Sequence, residues 1–234
     1  DVYKRQYVNF VVVNSTVKDP ARNVWTVQTA DVKTVIQHPN SFWVLYGQHT
    51  EPTYLEDAGN DQAEQRDWAL TFVRKWRVCL DIGSNIGQWT RPLAEKFASV
   101  ICFEPNPNFR ECFEKNITAR NVLLWPYGLS DKAGTATQDF NSTVLRNEPG
   151  DINLRTLDSF GLTEVDLIKI DVDGSEVPLL NGARETLTRN SPIINIEMKR
   201  RKRPDTVAKC ESILKELGYI FRKRTKSDEV WLKS

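Results

Sequence analysis

Along the chain, the spacing of hydrophobic positions changes near Asp61. From there Ala69, Phe72, Val73 and Trp76 recur at i, i+3, i+4 and i+7, the stripe of an amphipathic helix, and the main domain is expected over 61–234. Five short apolar runs follow, at 78–81, 100–103, 122–125, 167–170 and 193–196. They lack polar alternation, which predicts parallel strands covered on both faces. Helical patterns fill the gaps at 89–98, 107–119, 175–188 and 205–217. Asn106 is placed to cap the second of these ahead of Pro107, and Gly218 to stop the last. The alternation predicts an α/β doubly wound sheet. Two further strand-like runs, 219–224 and 229–232, are separated only by Thr225, Lys226, Ser227 and Asp228, so they join as an antiparallel hairpin. A mostly parallel sheet closed by an antiparallel C-terminal strand is therefore expected.

Residues 7–60 read differently, as an irregular β-rich extension with apolar runs at 10–13 and 42–46, broken by Asp19-Pro20 and by His38-Pro39-Asn40. Residues 1–6 look like the translated end of a sequencing adapter, so the natural N-terminus and any targeting signal are expected to lie outside this chain. With 32 Lys+Arg against 31 Asp+Glu, the net charge of +1 argues against a tail-like binder of polyanions. At 40% hydrophobic and 27% charged residues the composition is that of a globular protein. No apolar run approaches the ~20 residues that span a bilayer. Cys79, Cys102, Cys112 and Cys210 show neither a CxxC pair nor metal-ligand spacing, which fits a reducing, cytoplasmic setting.

The densest chemistry lies at Asp81-Ile82-Gly83-Ser84-Asn85-Ile86-Gly87, with Glu104 following 21 residues after Gly83. Strand, glycine turn, helix, next strand and acid succeed one another. Glycines there let backbone approach a ligand at the strand's carboxyl edge, and a carboxylate at the next strand tip can accept both hydroxyls of a ribose. The spacing is not GxGxxG, the signature of a dinucleotide site. An amino-acid-bearing nucleoside fits better, with Asp81 meeting an ammonium, which favours S-adenosylmethionine over NAD. A second cluster is Asp166-Leu167-Ile168-Lys169-Ile170-Asp171-Val172-Asp173-Gly174-Ser175-Glu176, where Asp171 ends a buried strand and Glu176 opens a helix. Lys169 shares a face with Asp171 by the period of two, so an internal ion pair is expected between them.

Together with Phe103-Glu104-Pro105, Leu157-Asp158 and Ile196-Glu197, these stretches resemble the FkbM-type family of S-adenosylmethionine-dependent methyltransferases over roughly 78–198, with Asp173 where that family commonly has Glu. The resemblance implies a class I, Rossmann-like methyltransferase sheet and methylation of a hydroxyl on a saccharide, glycolipid or related metabolite. It places Asp81, Gly83, Ser84, Asn85 and Gly87 around the methionine part of the donor, Glu104 and Pro105 at the ribose, Leu129 and Ser130 at the adenine, and Asp171 beside the methyl group.

Removing the acceptor's proton calls for a base, and Asp171, Glu176 and Glu197 are placed for it by converging strand ends. His38 and His49 precede the donor motif and read as loop or cap residues. A hard divalent ion on Asp171, Asp173 and Glu197 is a lesser alternative; no metal is expected. Residues 195–234 hold 12 basic and 6 acidic side chains, with runs at 199–203 and 222–226. Both runs follow strands that end at the donor edge, so Lys199, Arg200, Arg201 and Arg203 are expected to draw in an anionic acceptor. Rival readings are an RNA ribose methyltransferase, a non-catalytic nucleic-acid-binding module on the same fold and, less favoured, an NAD-dependent oxidoreductase.

Overall fold

The computed structural model describes residues 62–138, 145–146 and 148–234, together with 16–19, 24–27, 35–37 and 42–45. In the N-terminal part, β1 (Thr16–Asp19) pairs antiparallel with β2 (Val24–Val27), and β3 (Val35–Gln37) with β4 (Trp43–Leu45). The run at 10–13 and both histidines lie outside the described residues. β4 is tied to the main domain at Trp43, whose ring lies under the Lys115 ammonium at 5.8 Å. Asn116 accepts a hydrogen bond from the Trp43 backbone N–H at 2.6 Å and donates to its carbonyl at 2.9 Å.

α1 (Ala63–Leu70) opens the domain. It ends short of the expected stripe: the Thr71 hydroxyl bonds the Trp68 carbonyl at 2.7 Å, competing with the helical ladder, and Trp76 lies beyond it, 38% exposed. Then come β5 (Val78–Ile82), α2 (Thr90–Ala94), β6 (Ser99–Phe103), α3 (Pro107–Asn116) and β7 (Val122–Trp125). Asn106 caps α3 as expected, accepting from the Asn108 N–H at 2.9 Å.

Next is a part the hydrophobic pattern left unassigned. β8 (Gly128–Leu129), β9 (Gly134–Gln138), β10 (Leu145–Arg146) and β11 (Ile152–Arg155) form a separate small sheet ordered β10-β9-β11-β8. The chain returns through β12 (Val165–Ile170), α4 (Glu176–Asn181), α5 (Arg184–Asn190), β13 (Ile193–Glu197), α6 (Pro204–Glu216), β14 (Tyr219–Thr225) and β15 (Asp228–Lys233). The single helix expected over 175–188 is split in two. A Cβ on Gly182 would stand 2.0 Å from the Ser130 carbonyl oxygen, so the chain bends there, and Asp158 accepts the N–H groups of Glu185 and Thr186 to start α5 afresh.

The main sheet runs β14-β15-β13-β12-β5-β6-β7, parallel except that β15 lies antiparallel between β13 and β14. This is the class I methyltransferase arrangement. Alternate residues feed two cores. Leu80, Ile82, Ile168 and Ile194 pack with Leu179, Leu187 and Leu214 on one side, while Cys79, Val100 and Leu167 pack with Ala69, Leu93 and Phe113 on the other.

Candidate active site

The carboxyl ends of β6, β5, β12 and β13 lie side by side, and the segments that leave them border a cleft of about 230 Å³. Gly83 sets the geometry. Its φ is +75°, and an added Cβ would fall 1.9 Å from the Asp171 carbonyl oxygen, so only glycine lets the two central strand tips approach this closely. Bonds from Gly83 N–H to the Phe103 carbonyl (2.9 Å) and from Asp171 N–H to the Ile82 carbonyl (3.0 Å) fasten the three tips together.

On the β6 side stands Glu104. The backbone N–H groups of Asn85 and Asn106 each donate to one of its carboxylate oxygens at 2.8 Å. Burial raises its pKa to about 7, against the pull of those two N–H groups. Phe103, Phe109, Tyr127 and Leu129 make the adjoining wall apolar and aromatic. On the β12–β13 side stand Asp171, Asp173, Glu197 and Lys199. The Lys199 ammonium lies 2.9 Å from Glu197 and also bonds Asp173. Burial pushes the Glu197 carboxyl upward and the nearby charge of Asp171 adds to this, with Lys199 pulling the other way. Gln62 spans the opening: it accepts from the Trp89 indole N–H at 2.6 Å and donates to Asp171 at 3.4 Å.

Of the residues expected to touch the donor or to act as bases, Gly83, Ser84, Asn85, Glu104, Pro105, Leu129, Asp171 and Glu197 line this cleft. Four others do not. Asp81 is 0% exposed and faces the α2 side of the sheet, where Thr90 donates to it at 2.6 Å and Lys169 lies 3.3 Å away. Lys169 and Asp81 are register partners on adjacent strands, so the lysine pairs laterally rather than with Asp171 along its own strand. Gly87 packs against Phe113 and Ile117 of the α3 region. Ser130 points away toward Asp131, its backbone wedged on Gly182. Glu176 folds back to accept the Gly174 N–H at 2.8 Å, which closes the loop after β12, and it does not line the cleft. The alternative ion site does not assemble either. The Lys199 ammonium occupies the space between Asp173 and Glu197, and among the described residues no three His, Cys, Asp or Glu side chains converge on a metal.

Sequence reading missed Gln62, Phe109 and Tyr127. Phe109 was findable, since it follows the capped Pro107 by two residues and so faces back over the β6 tip; Gln62 and Tyr127 carry no local signal. The cleft suits a polar nucleoside with an amino-acid arm: among the described residues the buried Ser84 hydroxyl and Asn85 amide oxygen have no partner, Glu104 retains free lone pairs, and an aromatic wall lies beside them.

The sequence model of the methyltransferase FkbM domain matches residues 81–221. Hexuronic acid methyltransferase AglP of Haloferax volcanii is 29% identical over 123 residues, covering 47% of this chain and 51% of that protein. The 2-O-methyltransferase NoeI of Sinorhizobium fredii is 27% identical over 144 residues, covering 48% of this chain and 59% of that protein. The chain thus spans a little over half the length of these curated relatives. A crystal structure of the FkbM methyltransferase from Methylobacillus flagellatus superposes with a TM-score of 0.51 at 17% identity over 79% of this chain and 56% of that one, a likeness of fold. With the family match running from the first cleft strand out to β14 at the edge of the sheet, the chain belongs to the FkbM-domain methyltransferases, and its methyl donor is S-adenosylmethionine.

Proposed function

We propose that the chain methylates a hydroxyl group on a saccharide, glycolipid or related metabolite, and that the acceptor is anionic. The observation that carries the hydroxyl reading is the pair of carboxylates Asp171 and Glu197 on adjacent strand tips, facing the same cleft as Ser84, Asn85 and Glu104. S-adenosylmethionine supplies a methyl group on a sulfonium, which the acceptor oxygen takes in line as the carbon–sulfur bond breaks. The protein's part is to align that oxygen and receive its proton. Asp171, steadied by Gln62, is the base nearest the expected donor residues, and Glu197, its pKa pushed up by burial beside Lys199, positions the hydroxyl.

Two relatives support the acceptor class: one is named for a hexuronic acid, the other as a 2-O-methyltransferase. Family membership makes the chain an enzyme, which sets aside the non-catalytic module and the NAD-dependent oxidoreductase. Among the described residues, no helix is long and apolar enough to cross a membrane. The four cysteines are buried and free, which supports a cytoplasmic location. Incubation with isotopically labelled donor and a panel of acidic and neutral saccharides, read by mass spectrometry, tests the proposal. A labelled methyl ether on an acidic sugar is expected; label on an RNA ribose and on no saccharide would replace this reading with the RNA one.

Glu104 provides a second test. Ribose hydroxyls donate to its ionised form, so affinity for S-adenosylhomocysteine is expected to tighten as the pH rises toward about 7 and to level off above it. Glu104→Gln should flatten this profile and weaken binding by about tenfold or more, since each hydrogen bond to a charged acceptor contributes ~1.5–3 kcal/mol. Calorimetry across neutral pH reads both effects. Unchanged affinity and slope in the variant would reject the ribose role.

A further inference from the structure

Across a wall shared by Glu197 and Lys199, a second groove of about 430 Å³ adjoins the donor cleft. Its size falls within the ~300–1,000 Å³ of pockets that take small ligands. Two segments far apart in sequence build it: residues 197–202 after β13, and Arg224, Lys226 and Ser227 around the β14–β15 turn. Both basic runs therefore meet at one place.

The cations there are not equivalent. Lys199 is held by Asp173 and Glu197, Arg200 by Glu211 and Glu229, and Arg224 by Glu229 at 2.9 Å. Arg203, outside the groove, faces the loop after β12 and lies in ion-pair range of Asp173 at 3.7 Å and Glu176 at 3.9 Å. Three of the four residues first expected to meet the acceptor are thus committed to carboxylates of the fold. Arg201, Lys202 and Lys226 are exposed and, among the described residues, have no carboxylate partner. Lys226 even sits at φ +55° in the hairpin turn, where Gly or Asn is the usual residue. Among the described residues that line the groove Glu197 is the sole acid, and the Lys199 ammonium lies 2.9 Å from it.

We propose that this groove is the subsite for the acceptor's anionic group, a carboxylate or phosphate on the sugar unit next to the one methylated, bound by Arg201, Lys202 and Lys226. The proposal rests on the saccharide reading above and adds where the charge lies. Because Glu197 and Lys199 border both spaces, one ligand can offer a hydroxyl to Asp171 while its anion remains in the groove. Single-stranded RNA fits less well, since among the described residues no aromatic side chain lines the groove as a stacking platform.

The test uses the full chain saturated with S-adenosylhomocysteine and measures binding of digalacturonate, of a phosphorylated disaccharide, of neutral galactobiose and of a short RNA. Both anionic sugars should bind at least about tenfold more tightly than galactobiose, and the margin should shrink with salt as the field is screened over a Debye length of about 8 Å. The arm that binds more tightly identifies carboxylate or phosphate as the source. Replacing Arg201, Lys202 and Lys226 together by Ser should erase the margin and leave S-adenosylhomocysteine affinity intact, whereas Arg222→Ser, on β14 and outside the groove, should change nothing. Equal binding of galactobiose, no sugar binding at all, tighter binding of the RNA, or a margin that survives the triple substitution would overturn the proposal. Anionic-sugar binding that obeys the triple substitution without any methyl transfer to those sugars would uphold the subsite and count against the saccharide reading alone.

Discussion

Asp171→Asn is expected to lower kcat by about 10²- to 10⁴-fold, the contribution of a positioned general base, with affinity for S-adenosylhomocysteine nearly unchanged. The substitution keeps the side chain's shape and removes its charge and basicity. The fold should tolerate it because the backbone does the anchoring: Asp171 N–H bonds the Ile82 carbonyl at 3.0 Å, and its own carbonyl is what Gly83 packs upon. Single-turnover methylation with saturating donor separates the two effects. A wild-type rate would show that neither proton removal nor acceptor alignment uses this carboxylate, and a rate that falls only in step with donor affinity would make Asp171 a binding residue.

Lys169→Met should be the most damaging change to stability. It strands the Asp81 carboxylate, which is 0% exposed, with Thr90 as its remaining partner, and it takes away the donor to the Gly83 carbonyl at 2.7 Å. Breaking a buried pair by removing one partner typically destabilises by ~3–5 kcal/mol, whereas replacing both partners with apolar residues is often neutral. Adding Asp81→Leu to Lys169→Met should therefore recover most of the loss, and urea unfolding of the two singles and the double measures it. If the double variant is no more stable than Lys169→Met alone, the pair is not what holds these strands in register.

The parallel strands were legible because burial on both faces leaves unbroken apolar runs, and the β5–β6 side of the cleft was legible because the glycine turn and the acid after the next strand lie close along the chain. Glu104, Asn85 and Gly83 needed no distant partner to be expected at the cleft they line. The small sheet of β8 to β11 escaped for the opposite reason. Its strands have two to five residues of mixed polarity, so their pairing depends on neighbours rather than on any period of their own.

Which charges face the ligand was a matter of three-dimensional packing. Asp81 and Asp171 both sit at strand ends with similar neighbours in sequence, yet one is claimed by a lysine on the next strand and the other opens to the cleft. Likewise Arg200 and Arg201 are adjacent, but Glu211 and Glu229 reach only the first. A run of like charges predicts a field. The acids brought alongside by β15 and α6 determine which of its members remain free to bind, because an ion pair forms only where folding has already placed its partner within a few ångströms.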